Sequence, residues 1–285
     1  MLVLHSAPAR SLALIGVLLV VSSSSLAARQ DLAPALADRF SSGVAAIKAG
    51  RLDEAERAFR EVLSQGGNRA FVHHNLGIVL QQRGRHREAL IEFRAALALD
   101  PSFGAARLLA GTSLLALEQP GAAAAELERA ARLMPGEPAA HLQLADAYER
   151  TGNTEGVVAE YRRLTTLAPD SDEYAYRLGK AYLRLAARSY ERIRVVNPRS
   201  ARLAQALGSQ YLDQDRPDLA RRAFEDAARL DPALAGIHLA LARIHLREGR
   251  WEDAAAEVAR EQAIAPESAD ARALQADIEA ARKKQ

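Results

Sequence analysis

The sequence predicts an all-α solenoid of antiparallel helix pairs, and three observations lead there. Pro101, Pro135, Pro169, Pro198, Pro232 and Pro266 recur at intervals of 34, 34, 29, 34 and 34 residues, and a fixed period of this length marks a repeat architecture. Most of these prolines close a short run such as Leu99-Asp100-Pro101 or Leu167-Ala168-Pro169, where a helix must stop. Ala, Leu, Arg and Glu dominate while aromatics are only 5%, the composition of helices packed closely through small side chains. The 285 residues therefore count repeats rather than domains, because each unit packs only on its neighbours. Almost no strand is expected.

Residues 1–28 differ in kind. A short basic start ends at Arg10, an apolar run extends from Leu12 to Val21, and Ser22, Ser25 and Ala27 follow. That order reads as a secretory signal peptide cleaved near Ala27 or Ala28. The apolar run is well short of the ~20 residues of a spanning helix; the alternative is an uncleaved anchor. No other segment is apolar enough to cross a membrane, so no span is expected after cleavage. The formal net charge of +2 gives no general pull on nucleic acid. Without a cysteine there is no disulfide, thiol catalysis, zinc-thiolate site or lipid-anchored cysteine.

After a polar lead with Pro34, the first unit occupies residues 36–69, with Gly50 ending one helix in a conformation that only glycine adopts cheaply. The second, residues 70–103, is the clearest: Leu76-Gly77 on a first helix, Gly84 in the turn, Ala89 and Phe93 on a second helix, then Pro101. The third, 104–137, is degenerate, with Leu117-Glu118-Gln119-Pro120 replacing the glycine turn. The fourth, 138–171, recovers the pattern with Leu144-Ala145, Tyr148, Gly152 and Tyr161. Units six and seven occupy 201–234 and 235–268. Residues 269–285 form one more helix, with Leu274 and Ile278 spaced to cap the stack.

This pattern resembles the tetratricopeptide repeat over about residues 36–268. The resemblance implies a right-handed superhelix of helix pairs. Its small positions are Gly77, Gly111, Gly179 and Gly208 on first helices and Ala55, Ala89, Ala123, Ala220 and Ala254 on second helices. Phe59, Phe93, Tyr161, Tyr190 and Phe224 are expected to fill the gap between successive hairpins.

The fifth unit, residues 172–200, is five residues short, and no Gly, Pro or Asn interrupts 180–196 where its turn belongs. Leu178, Tyr182, Leu185, Ser189, Ile193 and Val196 instead form one helical stripe. The two helices are predicted to fuse into one from about Glu173 to Val196, splitting the array into lobes of four and two full repeats. The alternative is a hairpin with a very tight turn.

Little points to catalysis. His73, His141 and His238 fall at packing positions of first helices, and no third ligand joins His238 and His245, so no metal site and no cofactor are expected. No nucleophile elbow or phosphate-cradling glycine loop occurs. Acid pairs such as Asp53-Glu54 suit the first turns of second helices, where they meet the helix dipole. The chain reads as a non-enzyme.

Binding remains, and the resemblance implies that it uses the concave face of the first helices. In the first half that face should present Phe40, Val44, Phe71, His74, Ile78, Leu108 and Thr112. In the second half it should present Asp146, Arg150, Tyr176, Lys180, Arg184, Arg202, Arg243 and Arg247. An apolar stretch thus runs into an arginine-rich one, suited to a protein or peptide segment with apolar residues first and acidic ones after; the alternative is a solvated face whose charges pair with one another. The carboxylate clamp of chaperone-adaptor repeats is missing, since Phe40 and Val44 occupy its first pair and Ala105 and Leu109 its last, with only Asn75 matching. The expectation is an exported scaffold of the bacterial cell envelope, periplasmic or secreted. The alternative is a self-associating structural part, or an accessory subunit of an envelope assembly or polysaccharide and cell-wall synthesis complex.

Overall fold

The computed structural model describes residues 32–283. Among them are fourteen α-helices and no strand. The proposed signal segment, residues 1–28, lies outside the described residues. Six hairpins and two single helices make up the described residues: α1 (Pro34–Lys48) with α2 (Leu52–Ser64), α3 (Ala70–Gln82) with α4 (His86–Leu99), α5 (Gly104–Ala116) with α6 (Pro120–Leu133), and α7 (Pro138–Thr151) with α8 (Thr154–Leu167). The single helix α9 (Asp172–Val196) follows. Then come α10 (Ala201–Asp213) with α11 (Pro217–Leu230), α12 (Ile237–Arg247) with α13 (Trp251–Ile264), and the terminal α14 (Ala269–Arg282). None of these helices is long and apolar enough to cross a membrane.

Turn chemistry repeats with the period. Gly50, Gly84, Gly152 and Gly249 take φ of about +70° between paired helices. In the third and fifth hairpins Glu118 (φ 56°) and Asp215 (φ 54°) hold the same left-handed conformation, which costs a residue with a Cβ about 1 kcal/mol. The degenerate turn therefore keeps the geometry of the glycine turns without their glycine.

Inside each hairpin a small residue on the first helix lies against a bulky one on the second. A Cβ added at Gly43 would come within 2.8 Å of Phe59, at Gly77 within 2.5 Å of Phe93, at Gly111 within 2.5 Å of Leu127 and at Gly208 within 2.8 Å of Phe224. The bulky residue thus packs on the first helix of its own hairpin, a contact the spacing alone did not assign to it. Ala55, Ala89, Ala123, Ala220 and Ala254 are fully buried on the second helices.

The fused helix is observed as α9, 25 residues long. Its only buried residue is Ala181, so Gly179 and Tyr190 do not take the packing places that their repeat positions assign. The chain divides into two compact units within this helix, one reaching Ala181 and one starting at Tyr182. The first has a continuous core from Leu32 to Ala147. The second has two clusters, one around Phe224 and Ile237 and one in which α14 places Leu274 and Ile278 against Leu239 and Val258. At the start of α12 the buried Glu261 carboxylate accepts from the backbone N–H groups of Gly236 (2.7 Å) and Leu239 (3.3 Å), satisfying donors that a helix N-terminus leaves free.

Candidate binding face

In the first unit α1, α3, α5 and α7 touch in succession along one side, which makes the first helices a continuous face. Two polar bridges tie them: Gln81 donates to the Leu109 carbonyl (3.2 Å) and the Ser113 hydroxyl (3.0 Å), and Arg150 donates to the Leu115 carbonyl (3.4 Å). Phe40 and Ile78, each 7% exposed, are buried beneath this face. The Phe40 ring meets Phe59 at 5.4 Å and stands edge-on to Phe71 at 5.0 Å, so these two residues shape the floor and offer a partner little area. Val44, Phe71, His74, Leu108 and Thr112 are half-buried, with the Thr112 hydroxyl turned back to the Leu108 carbonyl at 2.9 Å.

The charged part of this unit is internally paired. Arg150 lies 3.2 Å from Asp146 and 3.4 Å from Glu118. Lys180 sits 5.4 Å over the Tyr176 ring. In the second unit Arg184, Arg202, Arg243 and Arg247 are exposed, and Arg243 reaches Asp270 at 3.5 Å. The predicted residues thus belong to two separate sets, Phe40 to Lys180 in one unit and Arg184 to Arg247 in the other.

A second set of polar residues recurs with the period. His73, Arg107, His141 and His238 reach across their hairpins to Glu92, Glu126, Glu160 and Glu257 at 2.6 to 2.8 Å. The signal is visible in the sequence as a cation and a glutamate nineteen residues apart, repeated at the period; reading the histidines as packing residues overlooked it. Each pair pins the first helix to the second, and with Asn68 also 2.8 Å from His73 the imidazole is held by polar contacts on both sides.

His74 behaves differently. Its ring stacks 4.6 Å from Phe103 and 6.0 Å from Phe93, and its Nδ1 is buried without a hydrogen-bond partner. Burial pushes its pKa down to about 4. Because the folded value lies below the unfolded one, the unfolded chain takes up the proton first as pH falls. The contribution of neutral His74 is therefore complete above about pH 6.5 and declines toward pH 4. We expect His74→Phe to flatten that decline, so that urea midpoints compared at pH 7.5 and pH 5 shift in favour of the variant by about 1–2 kcal/mol at the lower pH.

Models of the tetratricopeptide repeat match residues 70–103, 114–181 and 211–278, together more than half of the chain. No curated protein matches the sequence. Among solved structures, a tetratricopeptide repeat protein from Parabacteroides merdae is 14% identical, covering 87% of this chain and 100% of its own, with a TM-score of 0.49. A chain of the APC/C hetero-tetramer Cut9–Hcn1 is 16% identical with a TM-score of 0.43; the match covers 91% of this chain but 45% of that one. The pilF protein of Pseudomonas aeruginosa is 16% identical, covering 89% and 99%, with a TM-score of 0.43. With family models matched on both sides of the fused helix and the small-to-bulky pairing repeated in its hairpins, the chain belongs to the tetratricopeptide repeat family.

Proposed function

We propose that the protein is a non-catalytic scaffold of the bacterial cell envelope, exported by its N-terminal segment, that captures a protein segment on the face made by its first helices. The observation that carries this reading is the continuous face of α1, α3, α5 and α7, where half-buried Phe71, His74 and Leu108 lie on the same side as the Asp146–Arg150 pair. Apolar side chains held in place beside fixed charges favour an extended or helical segment with apolar and charged residues in sequence. Acidic groups on the partner would complement Lys180, Arg184 and Arg202, which are exposed. Periplasmic or secreted placement rests on the order of basic, apolar and small residues in 1–28.

The test joins N-terminal sequencing of the purified chain with in-cell crosslinking. Capture of one acidic partner is expected, by a chain that starts near Ala28. The triple variant Lys180→Glu, Arg184→Glu, Arg202→Glu should weaken that capture by about tenfold or more through like-charge repulsion. It should change melting little, since all three side chains are exposed and surface substitutions usually stay within about 0.5 kcal/mol. Undiminished capture would remove the cationic residues from the binding face, and a chain starting at Met1 would make the first segment an anchor.

A further inference from the structure

Four of the intact hairpins close by placing a bulky residue of the second helix on a glycine sixteen positions earlier: Phe59 on Gly43, Phe93 on Gly77, Leu127 on Gly111 and Phe224 on Gly208. In the shortened fifth repeat these positions are Gly179 and Tyr190, eleven residues apart. Nothing lies within 4 Å of a Cβ placed on Gly179, and Tyr190 is 45% exposed. Eleven residues is close to three helical turns, so both lie on one side of α9, separated by about 16 Å along its axis. Tyr176 and Leu183 share that side, and they are 63% and 73% exposed. Lys180 borders that side beside Tyr176, and the polar residues Arg184 and Arg188 lie on the other.

We propose that this side of α9 is the interface with a second copy of the same chain. The two α9 helices run antiparallel about a two-fold axis midway between Gly179 and Tyr190, and each copy supplies the Tyr190 that the other's Gly179 lacks. A two-fold interface requires this reciprocity, residue i meeting j while j meets i. Shortening the connection between two packed helices opens the hairpin and directs its halves to a partner, the route of domain exchange.

Two further features agree. The first turn of α9 carries Asp172 and Glu173 and its last turn carries Arg194, so the antiparallel arrangement brings the acidic end of one copy to the basic end of the other. The first hairpin of the second unit also leaves apolar side chains exposed. There Leu203, Ala204, Leu207 and Leu230 line an open recess of about 580 Å³, with Leu207 and Leu230 exposed. In a solenoid a preceding hairpin covers this side, and a hairpin rebuilt from two chains supplies one. The inference goes beyond partner capture and does not depend on it.

The chain has no cysteine, which makes the test direct. The full chain carrying Gly179→Cys and Tyr190→Cys is oxidised at micromolar concentration. A disulfide needs Cα atoms about 4.4–6.8 Å apart, so residues 179 and 190 of one continuous helix cannot join. A disulfide-linked dimer whose peptide map joins 179 to 190 is expected, along with a dimeric, concentration-dependent mass for the unmodified chain by light scattering. A five-residue turn inserted after Arg184, restoring the 34-residue period, should shift that mass to monomer. A 179–190 disulfide within one chain would overturn the proposal by showing a closed hairpin. So would links of 179 to 179 alone, or an unmodified chain that stays monomeric. A dimer that persists after the insertion would place the interface elsewhere.

Discussion

Replacing Glu56 by alanine is expected to destabilise the first unit by about 2–4 kcal/mol. The Glu56 carboxylate on α2 is buried and receives three guanidinium groups: Arg60 at 2.6 Å, Arg83 at 2.8 Å and Arg85 at 2.7 Å. Arg83 and Arg85 flank the turn of the next hairpin, so this one carboxylate ties the first hairpin to the second. They are braced on their outer sides by Asp53 and Glu88. Removing the carboxylate leaves three cations converging on an empty pocket. Because the arginines are partly open to water they regain some hydration, which keeps the loss below that of a fully buried pair. Glu56→Gln, which keeps shape and an acceptor but not the charge, should lose about half as much. Urea unfolding followed by circular dichroism measures both, and an Ala variant within 0.5 kcal/mol of the parent, a change typical of ordinary surface positions, would show that the network is ornamental.

Phe93→Ala should cost about 3–5 kcal/mol. The Phe93 ring is fully buried, lies on Gly77 and stands beside His74, so truncation opens a cavity between two helices that glycine allows to approach closely. The converse change, Gly77→Leu, inserts volume where even a Cβ would sit 2.5 Å from the ring and should cost about 1–3 kcal/mol. Combined, the two changes should cost less than their sum, because the added leucine occupies the space the ring leaves. In a solenoid each repeat packs only on its neighbours. Amide exchange in Phe93→Ala should therefore rise across α3 to α6 and stay unchanged in α12 and α13. A uniform rise would mean that the two units unfold as one.

Much of this architecture was legible because period, turn and packing signals coincide. Pro101 and its equivalents, the glycines at +70° and the small residues such as Gly77 on first helices are local in sequence, each settled within 34 residues, whereas the ring of Phe93 on Gly77 appears only in the packing. The fused α9 was legible for the same reason: a missing turn and an uninterrupted apolar stripe are both read along one segment. The binding face was less so. Residue spacing places Phe40 and Ile78 on first helices, but the approach of neighbouring hairpins buries them while leaving Phe71 and Leu108 half-open. The cross-hairpin His–Glu pairs were passed over because a histidine at a packing position looks the same whether it meets a methyl group or a carboxylate.

The sequence alone determined the helix count per repeat, the hairpin turns, the place where the array is interrupted and the absence of thiol chemistry. Those follow from periodicity and residue type, which act over a turn or two of helix. The tertiary structure decided which side chains became floor and which remained accessible, that Glu56 gathers three arginines across two hairpins, that His74 is held neutral, and that Tyr176, Leu183 and Tyr190 on the Gly179 side of α9 stay exposed. These depend on distances between residues far apart in sequence, set by how closely helices approach and by the water excluded between them.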